Sequence, residues 1–299
     1  MKISKARNGE IEIAYESFGS PNGTPLVLIP GSGMQMVMWP LELCTALVER
    51  GFQVVRMDNR DSGLSTRLSR YDNLPRRERR QAYTIRDMAD DVIAVVDALG
   101  AASAHLVGGS LGATIAQVAA IQHPERVASL TLLSAVPGSK LRLARPKIRT
   151  IIKMVKIMRR DVPDARAAGQ QWVDLMRLTG SPAYPIDEDH SRAAGELAYE
   201  RGRYPAGNMR HTKAFMTVGD LRPQLATLTM PTLVIQGKVD PMQSWRAGKA
   251  VADAIPGSRF LLYPDVGHDL PRAIWPAVLD EITALAIGTD RAADDASTA

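Results

Sequence analysis

The sequence predicts a protein of the α/β class, with a mostly parallel central sheet that is flanked by helices and carries one helical insertion. Short aliphatic or β-branched runs alternate with helical patterns, and this alternation stops over residues 136–225, where only helical patterns occur. The 299 residues, 45% of them hydrophobic and 23% charged, suffice for a sizeable core. We therefore expect a core at 1–135 and 226–287, a cap or lid at 136–225, and a small, polar, disordered tail at 288–299.

Seven strands are predicted, each a short apolar run bounded by turn residues. Apolar runs that are connected through helices are typical of parallel strands buried on both faces. These strands are Glu10–Tyr15, Pro25–Ile29, Phe52–Met57, Ala104–Val107, Ser129–Leu133, Thr232–Gln236 and Arg259–Tyr263. Helices with apolar periodicity follow most of them, at Leu41–Arg50, Ile85–Leu99, Leu111–Gln122, Gln243–Ala254 and Arg272–Ile287.

The single cysteine and the first residues restrict the class of protein. Cys44 by itself excludes an internal disulfide framework and favours a reducing compartment, and its place on the apolar face of the first helix predicts core filling. The N-terminal residues lack the apolar run of a signal peptide, and no segment has the length and hydropathy of a membrane span. We expect a cytoplasmic protein. No close cluster of His, Asp and Glu predicts a metal ion, and no cofactor is expected.

The sequence after the fourth predicted strand carries the main chemical motif. Ala104–Val107 runs into Gly108-Gly109-Ser110-Leu111-Gly112, and an apolar helix begins at once. In this strand, turn and helix context, a G-x-S-x-G sequence forms a strained turn that exposes the serine hydroxyl, and the glycines remove Cβ atoms that would collide. The pattern favours Ser110 as a nucleophile over a serine that merely caps a glycine-rich turn.

A serine nucleophile requires a base and a carboxylate that orients the base. His268 follows the last predicted strand and Asp240 follows the strand before it, so both are expected at the edge where the parallel strands end. Asp265 and Asp269 flank the histidine and are expected to point elsewhere. Four further histidines are expected to be structural or at the surface: His105, His123, His190 and His211.

Two backbone N–H groups are needed to stabilise the oxyanion of a tetrahedral intermediate. One is expected from Leu111, which follows the nucleophile at a helix N-terminus. The other is expected from the glycine-containing loop Pro30–Met34 after the second predicted strand, where Ser32 follows Gly31. The predicted oxyanion hole therefore consists of the Ser32 and Leu111 N–H groups.

These motifs resemble those of the α/β-hydrolase superfamily over residues 8 to 287. The chain order Ser110, Asp240, His268 is the order of the triad in this superfamily. The resemblance implies an α/β-hydrolase fold and serine hydrolase activity. Since the nucleophile is serine and not aspartate, the chemistry of epoxide hydrolases and haloalkane dehalogenases is disfavoured.

A second loop strengthens the resemblance and contains a departure from it. The segment Asp58–Ser65, D-N-R-D-S-G-L-S, is similar to the D-x-R-G-x-G-x-S loop that usually braces the oxyanion loop in this family. Asp61 replaces the usual glycine, and Pro30 stands where many members carry histidine. With G-G-S-L-G-A-T at Gly108–Thr114, the sequence is most similar to polyketide methylesterases of the aclacinomycin type and to related actinobacterial lipases and esterases.

The net charge of +5 comes from one part of the insertion. Nine cations and no acid lie between Gly138 and Arg160, and without them the chain would carry −4. Three interpretations stay open: a lid helix over an apolar pocket, contact of residues 138–160 with an anionic membrane, and a solvated charged face above a buried stripe. Nucleic acid binding is not indicated, since interleaved aromatics are missing. One helical face collects the apolar residues Ile148, Ile151, Ile152, Val155 and Met158.

Together these features predict a serine hydrolase that cleaves a small-molecule hydrophobic carboxylic ester through an acyl-enzyme intermediate. Because Gly108-Gly109-Ser110 also resembles proline iminopeptidases, amide cleavage is one alternative, in which Glu196 or Glu200 would bind a substrate ammonium group. A receptor-like module that binds a ligand with negligible turnover is another. The fold class determines neither the acyl and alcohol groups of the substrate nor the oligomeric state.

Overall fold

One sheet organises the described part of the chain. The structure is a computed structural model that describes residues 2–72, 82–139, 144 and 146–297. Within them, eight strands pair in the order β1-β2-β4-β3-β5-β6-β7-β8, with β3 to β8 parallel and β1 and β2 forming an antiparallel edge, which confirms the predicted fold class. The strands are β1 (Ser4–Asn8), β2 (Ile11–Phe18), β3 (Thr24–Ile29), β4 (Phe52–Met57), β5 (Ala104–Gly109), β6 (Val127–Leu133), β7 (Thr232–Gly237) and β8 (Arg259–Tyr263).

Helices cover both faces of the sheet and bury two hydrophobic clusters against it. Alternate residues of β3 contribute to both, because successive side chains of a strand point to opposite faces: Val27 and Ile29 to one cluster, Leu26 and Leu28 to the other. The α-helices are α1 (Leu41–Val48), α2 (Ile85–Ala98), α3 (Leu111–Gln122), α4 (Ile148–Met158), α5 (Ala165–Thr179), α6 (Glu188–Glu200), α7 (Pro205–Met216), α8 (Arg222–Leu225), α9 (Trp245–Ala254) and α10 (Trp275–Ser297).

Helices α4 to α8 lie between β6 and β7, within the predicted insertion. A bridge between Gly138 and Asp220 joins the two ends of this segment. Helices α5 and α6 pack closely through glycines, since a Cβ on Gly195 would lie 2.8 Å from the Cβ of Trp172. Three of the nine cations of the basic segment, Lys140, Arg142 and Arg145, fall outside the described residues.

The N-terminal edge of the sheet differs from the sequence expectation. Strand β1 is not among the predicted strands, and β2 runs from Ile11 to Phe18 instead of Glu10–Tyr15. The two strands form a hairpin whose two-residue loop begins at Gly9, with a positive φ of 59°. Glycine at the first loop position is the signal of a type II′ turn, so the hairpin is recognisable in the sequence.

Several predicted helix boundaries also differ from the observed ones, among them the start of α9 and the end of α10. Helix α9 begins at Trp245 rather than at Gln243, because the side chain of Ser244 caps it by accepting the Arg246 N–H. Helix α10 extends to Ser297 and thus enters the segment 288–299, for which the composition predicts disorder.

Cys44 is buried on α1 as expected, and burial raises the pKa of its thiol to about 11. None of the helices within the described residues has both the length and the hydropathy to span a bilayer.

Candidate active site

The turn between β5 and α3 places Ser110 at the carboxyl edge of the sheet. Its backbone has a φ of 55° and a ψ of −113°, and its N–H donates to the Leu133 carbonyl on β6 at 2.9 Å. The glycines are required by close approach: a Cβ on Gly108 would lie 2.3 Å from the Gly112 oxygen, and one on Gly112 would lie 2.2 Å from the Ile29 oxygen. The predicted strained turn is therefore observed.

Asp240 and His268 meet Ser110 at this edge. His268 Nδ1 lies 2.7 Å from Asp240 Oδ2, and His268 Nε2 lies 3.2 Å from Ser110 Oγ. The other oxygen of Asp240 accepts the N–H groups of Met242 at 2.7 Å and Gln243 at 2.9 Å, which fixes the carboxylate. The three groups form one hydrogen-bonded chain that ends on the serine oxygen.

The charges around the His268 ring favour its protonated form. Burial lowers the pKa of the imidazole, but the charge and hydrogen bond of Asp240, with a smaller contribution from Asp269, outweigh burial, so that the pKa is raised above its ordinary value of 6.5. The side chain of Asp240 is fully buried and that of His268 is 12% exposed. The arrangement therefore stabilises the protonated form of the ring.

The neighbours of His268 in the sequence have other roles. Asp265 is exposed. Asp269 accepts a hydrogen bond from the Ser181 hydroxyl, which in turn accepts the Gly267 N–H at 2.8 Å, and burial raises the pKa of Asp269. The backbone N–H of His268 donates to the Thr179 carbonyl at the end of α5, at 2.8 Å. The histidine loop is thus held by the insertion, and of these three aspartates Asp240 is the one that bonds the ring.

The two predicted oxyanion donors lie on segments that meet at Ser110. Leu111 is the first residue of α3, where backbone N–H groups have no partner inside the helix. The loop after β3 approaches Ser110 closely, since a Cβ on Gly31 would lie 3.6 Å from the Cβ of Ser110. Ser32 is exposed, and its hydroxyl donates to Asn208 Oδ1 on α7 at 2.9 Å.

The loop Asp58–Ser65, here called the bracing loop, holds the segment from Pro30 to Met36 through three hydrogen bonds. This segment is called the oxyanion loop after the role that the sequence predicts for it. Asp58 Oδ1 accepts the Met36 N–H at 2.7 Å, the Asn59 amide donates to the Pro30 carbonyl at 3.0 Å, and the Ser62 hydroxyl donates to the Met34 carbonyl at 2.7 Å. A Cβ on Gly63 would lie 2.2 Å from Asp58 Oδ2. This is the bracing arrangement that the resemblance implies.

His211 on α7 contacts the oxyanion loop, which sequence reasoning missed. It is fully buried; its Nδ1 accepts the Gly33 N–H at 3.2 Å, and its Nε2–H donates to the Arg60 carbonyl at 2.7 Å. Burial lowers the pKa of His211, which agrees with a neutral ring that accepts at one nitrogen and donates at the other. His105 and His123 have structural partners, Ser129 and Asp90, each at 2.8 Å.

Asp61 also bonds α7, which explains its presence in place of glycine. Its φ of 64° is the conformation that favours glycine, yet its carboxylate forms two hydrogen bonds with Arg210, at 2.6 and 3.0 Å, and accepts the Leu68 N–H at 2.6 Å. Arg210 is 5% exposed and also bonds Asp72 at 2.7 Å. The insertion is thus joined to the bracing loop by a buried ion pair.

Two further side chains lie at the turn that carries Ser110 and were not predicted. Gln243 Nε2 lies 3.5 Å from Ser110 Oγ, and the ring of Trp39 lies 3.7 Å from the position of a Cβ on Gly109. Gln243 follows Asp240 by three residues, so its nearness to the predicted acid was the available signal. No sequence signal pointed to Trp39, because its contact with β5 depends on the path of the oxyanion loop.

The profile of the α/β-hydrolase fold family matches residues 24–271. The chain belongs to the α/β-hydrolase family. It is 30% identical over 281 residues to rhodomycin D methylesterase DauP of Streptomyces sp. (strain C5), covering 89% of this chain and 91% of that protein. Rhodomycin D methylesterase DnrP of Streptomyces peucetius is 29% identical over 284 residues, with 89% and 92% covered. The resemblance to α/β-hydrolases and methylesterases is confirmed, and the protein is an enzyme of the hydrolase class.

Solved α/β-hydrolases superimpose on the fold. The enol-lactonase from Burkholderia xenovorans LB400 has a TM-score of 0.72 at 22% identity, covering 94% of this chain and 99% of that one. The esterase RhEst1 from Rhodococcus sp. ECU1013 also has a TM-score of 0.72 at 22% identity, with 95% and 100% covered. At these identities the likeness confirms the α/β-hydrolase fold.

Because Asp61 and Arg210 form a buried ion pair, we expect substitutions at these two positions to have non-additive effects on the free energy of unfolding. Arg210→Met leaves a buried carboxylate without its cation, so we expect the free energy of unfolding to fall by about 3–5 kcal/mol. Adding Asp61→Gly removes that charge and relieves the positive φ, so the double variant should regain at least about 1 kcal/mol. Urea unfolding of the wild type, Arg210→Met, Asp61→Gly and the double variant completes this double-mutant cycle. Purely additive losses would contradict the coupling.

Proposed function

We propose that the protein is a serine esterase that hydrolyses a hydrophobic carboxylic ester, with Ser110 as the nucleophile, His268 as the general base and Asp240 as the carboxylate that orients the base. The observation that carries this proposal is the hydrogen-bonded chain from Asp240 through His268 to Ser110, with distances of 2.7 and 3.2 Å. Such a chain activates a hydroxyl that is otherwise a weak nucleophile.

The proposed reaction has two halves. Ser110 Oγ attacks the ester carbonyl while His268 Nε2 accepts its proton, and the proton passes to the departing alcohol as the C–O bond breaks, leaving an acyl-enzyme. Water then attacks the acyl carbonyl while His268 Nε2 accepts its proton. The bond between the acyl carbon and Ser110 Oγ breaks, the proton passes from His268 to Ser110 Oγ, and the carboxylic acid leaves. In both halves the N–H groups of Leu111 and Ser32 are proposed to bind the oxyanion, which the proximity of the two segments to Ser110 supports.

The relatives support a particular class of ester. Two of them are named rhodomycin D methylesterases and align over about nine-tenths of the chain. This likeness supports a methyl ester of a hydrophobic acid as the substrate class. Trp39, whose ring lies against Gly109 next to the proposed nucleophile, is proposed to contribute apolar surface to such a substrate.

The positions of two acids weigh against the amide alternative. An iminopeptidase would need Glu196 or Glu200 to face the site and bind a substrate ammonium group. Glu196 lines a cavity of about 890 Å³ with Asp164, which precedes α5, and Arg192 on α6, and none of the three proposed catalytic residues lines this cavity. Glu200 is exposed at the end of α6. A receptor without turnover is disfavoured because the chain of bonds that activates Ser110 is complete.

Ser110→Ala tests the proposal directly. We expect kcat for p-nitrophenyl esters to fall at least about 10⁴-fold, because the nucleophile is lost while the Cβ in the strained turn is kept. Ser258, whose hydroxyl donates to the Ala252 carbonyl on α9 at 2.7 Å, provides the control. A fluorophosphonate probe should label the wild type and Ser258→Ala, but not Ser110→Ala. Full activity of Ser110→Ala, or preferential cleavage of aminoacyl-nitroanilides by the wild type, would refute the assignment.

The identity of the carboxylate is tested by a pair of matched variants. Asp240→Asn should lower kcat by about 10⁴-fold with little change in KM, because the imidazole loses the partner that selects its tautomer and stabilises its charge. Asp265→Asn is the control, since this exposed carboxylate lies on the same loop as His268, and it should stay near the wild type. Steady-state kinetics of the two variants on one p-nitrophenyl ester make the comparison. A larger loss of kcat in Asp265→Asn than in Asp240→Asn would assign the carboxylate to Asp265.

The raised pKa of His268 predicts the pH dependence. The base must be neutral to accept the proton of Ser110, so kcat/KM should rise with pH and level off above the pKa of His268 in the free enzyme. Because Asp240 and Asp269 hold that pKa above 6.5, the midpoint of the rise should lie above pH 6.5. Profiles from about pH 5 to about pH 9 measure it. A midpoint below 6.5 would contradict the electrostatic description of the site.

A further inference from the structure

Helix α4 turns its apolar face to solvent. Ile148 is 70% exposed and Ile152 is 62% exposed, while Val155 and Met158 are each 39% exposed. The buried residues of this helix are Thr150 and Ile157, which lie seven positions apart on a different face. The interpretation of this segment as a charged face above a buried apolar stripe is therefore wrong for these four side chains.

Exposed cations flank the apolar face. The helix contains no acid, and Arg149, Lys153 and Lys156 are exposed along it, with Lys147 and Arg159 at its ends. No ion pair joins Lys153, Lys156 or Arg159 to an acid among the described residues, in contrast to the neighbouring Arg160, which pairs with Asp174. The positive charge of this surface is therefore not neutralised within the described part of the chain.

We infer that the face of α4 formed by Ile148, Ile152, Val155 and Met158, together with its flanking cations, docks on an anionic lipid surface. An amphipathic helix with apolar residues on one face and Lys and Arg beside them is the kind of helix that lies in the plane of a membrane interface. A second copy of this chain fits less well, because a two-fold contact would bring the same cations together from both copies.

The N-terminal end of α4 contacts the loop that carries Asp240. The Lys147 N–H, at the start of α4, donates to the Pro241 carbonyl at 2.9 Å, one residue beyond Asp240. Lys147 and Thr150 also line a cavity of about 500 Å³ with Val239 and Pro241. Docking of α4 would therefore bring the loop that carries Asp240 close to the lipid surface.

Vesicle flotation without any ester tests the docking, so that its outcome does not depend on the proposed function. We expect the wild type to float with vesicles of phosphatidylcholine and phosphatidylglycerol but not with phosphatidylcholine alone, and salt should weaken the binding. Reversing Lys153, Lys156 and Arg159 to Glu should lower the binding constant at least about a hundredfold, since each cation near an anionic surface contributes roughly fivefold.

A control with the same change in net charge separates the surface from the total charge. Lys2, Arg86 and Arg203 are exposed cations on other parts of the chain, and reversing them to Glu should leave the binding within a few-fold of the wild type. Equal losses in the two triple variants would overturn the proposal, because total charge alone would then explain the binding. Equal flotation with neutral and anionic vesicles would overturn it as well.

A second pair of variants tests the apolar contribution. Ile148→Gln with Ile152→Gln should weaken binding about tenfold or more, while Leu41→Gln with Ile287→Gln, which changes exposed apolar residues elsewhere, should not. Glutamine keeps the helix propensity, and circular dichroism checks the fold. If the wild type does not bind vesicles and Ile148→Gln with Ile152→Gln converts a dimer to a monomer in sedimentation, the face is a contact between copies and the proposal fails.

Discussion

The close crossing of backbones beneath Ser110 is the constraint on which the site depends. Helix α3 starts directly over the ends of β3 and β5. This start requires glycine at 108 and 112, because a Cβ at either position would collide with the Gly112 or the Ile29 carbonyl. This crossing presents the serine at the carboxyl edge of a parallel sheet. The loops after β7 and β8 end at the same edge, so Asp240 and His268 reach Ser110 without any long excursion of the chain.

The insertion supports this site from two sides. The end of α5 accepts the backbone N–H of His268, and α7 contacts the oxyanion loop through His211 and the bracing loop through Arg210. Arg201, after α6, adds an ion pair with the buried Asp58 at 2.6 Å. Buried charges are costly to desolvate and are tolerated when each finds its partner, so these pairs specify one arrangement of the insertion over the loops.

The first and the last part of the insertion differ in how much of their apolar and charged surface is exposed to solvent. Helix α7 buries Arg210 and His211 with their hydrogen-bond partners, whereas α4 leaves four apolar side chains and several cations exposed. One end is therefore committed to the oxyanion loop. The other presents a surface whose apolar area and charge are not satisfied within the described chain.

The sequence by itself determined the central strands, the turn at Ser110, the order of the three site residues and the amphipathic pattern of α4, because turn chemistry, chain order and hydrophobic periodicity are local properties. The tertiary structure alone decided that Asp61 pairs with Arg210 and that His211 holds Gly33. Asp61 and Arg210 are separated by 149 positions in the sequence, and Gly33 and His211 by 178. Such distant residues meet only when α7 packs on the loops, and no local sequence pattern encodes this contact. Likewise, periodicity shows which residues of α4 share a face, but packing decided that Thr150 and Ile157 turn inward and the apolar face turns to solvent.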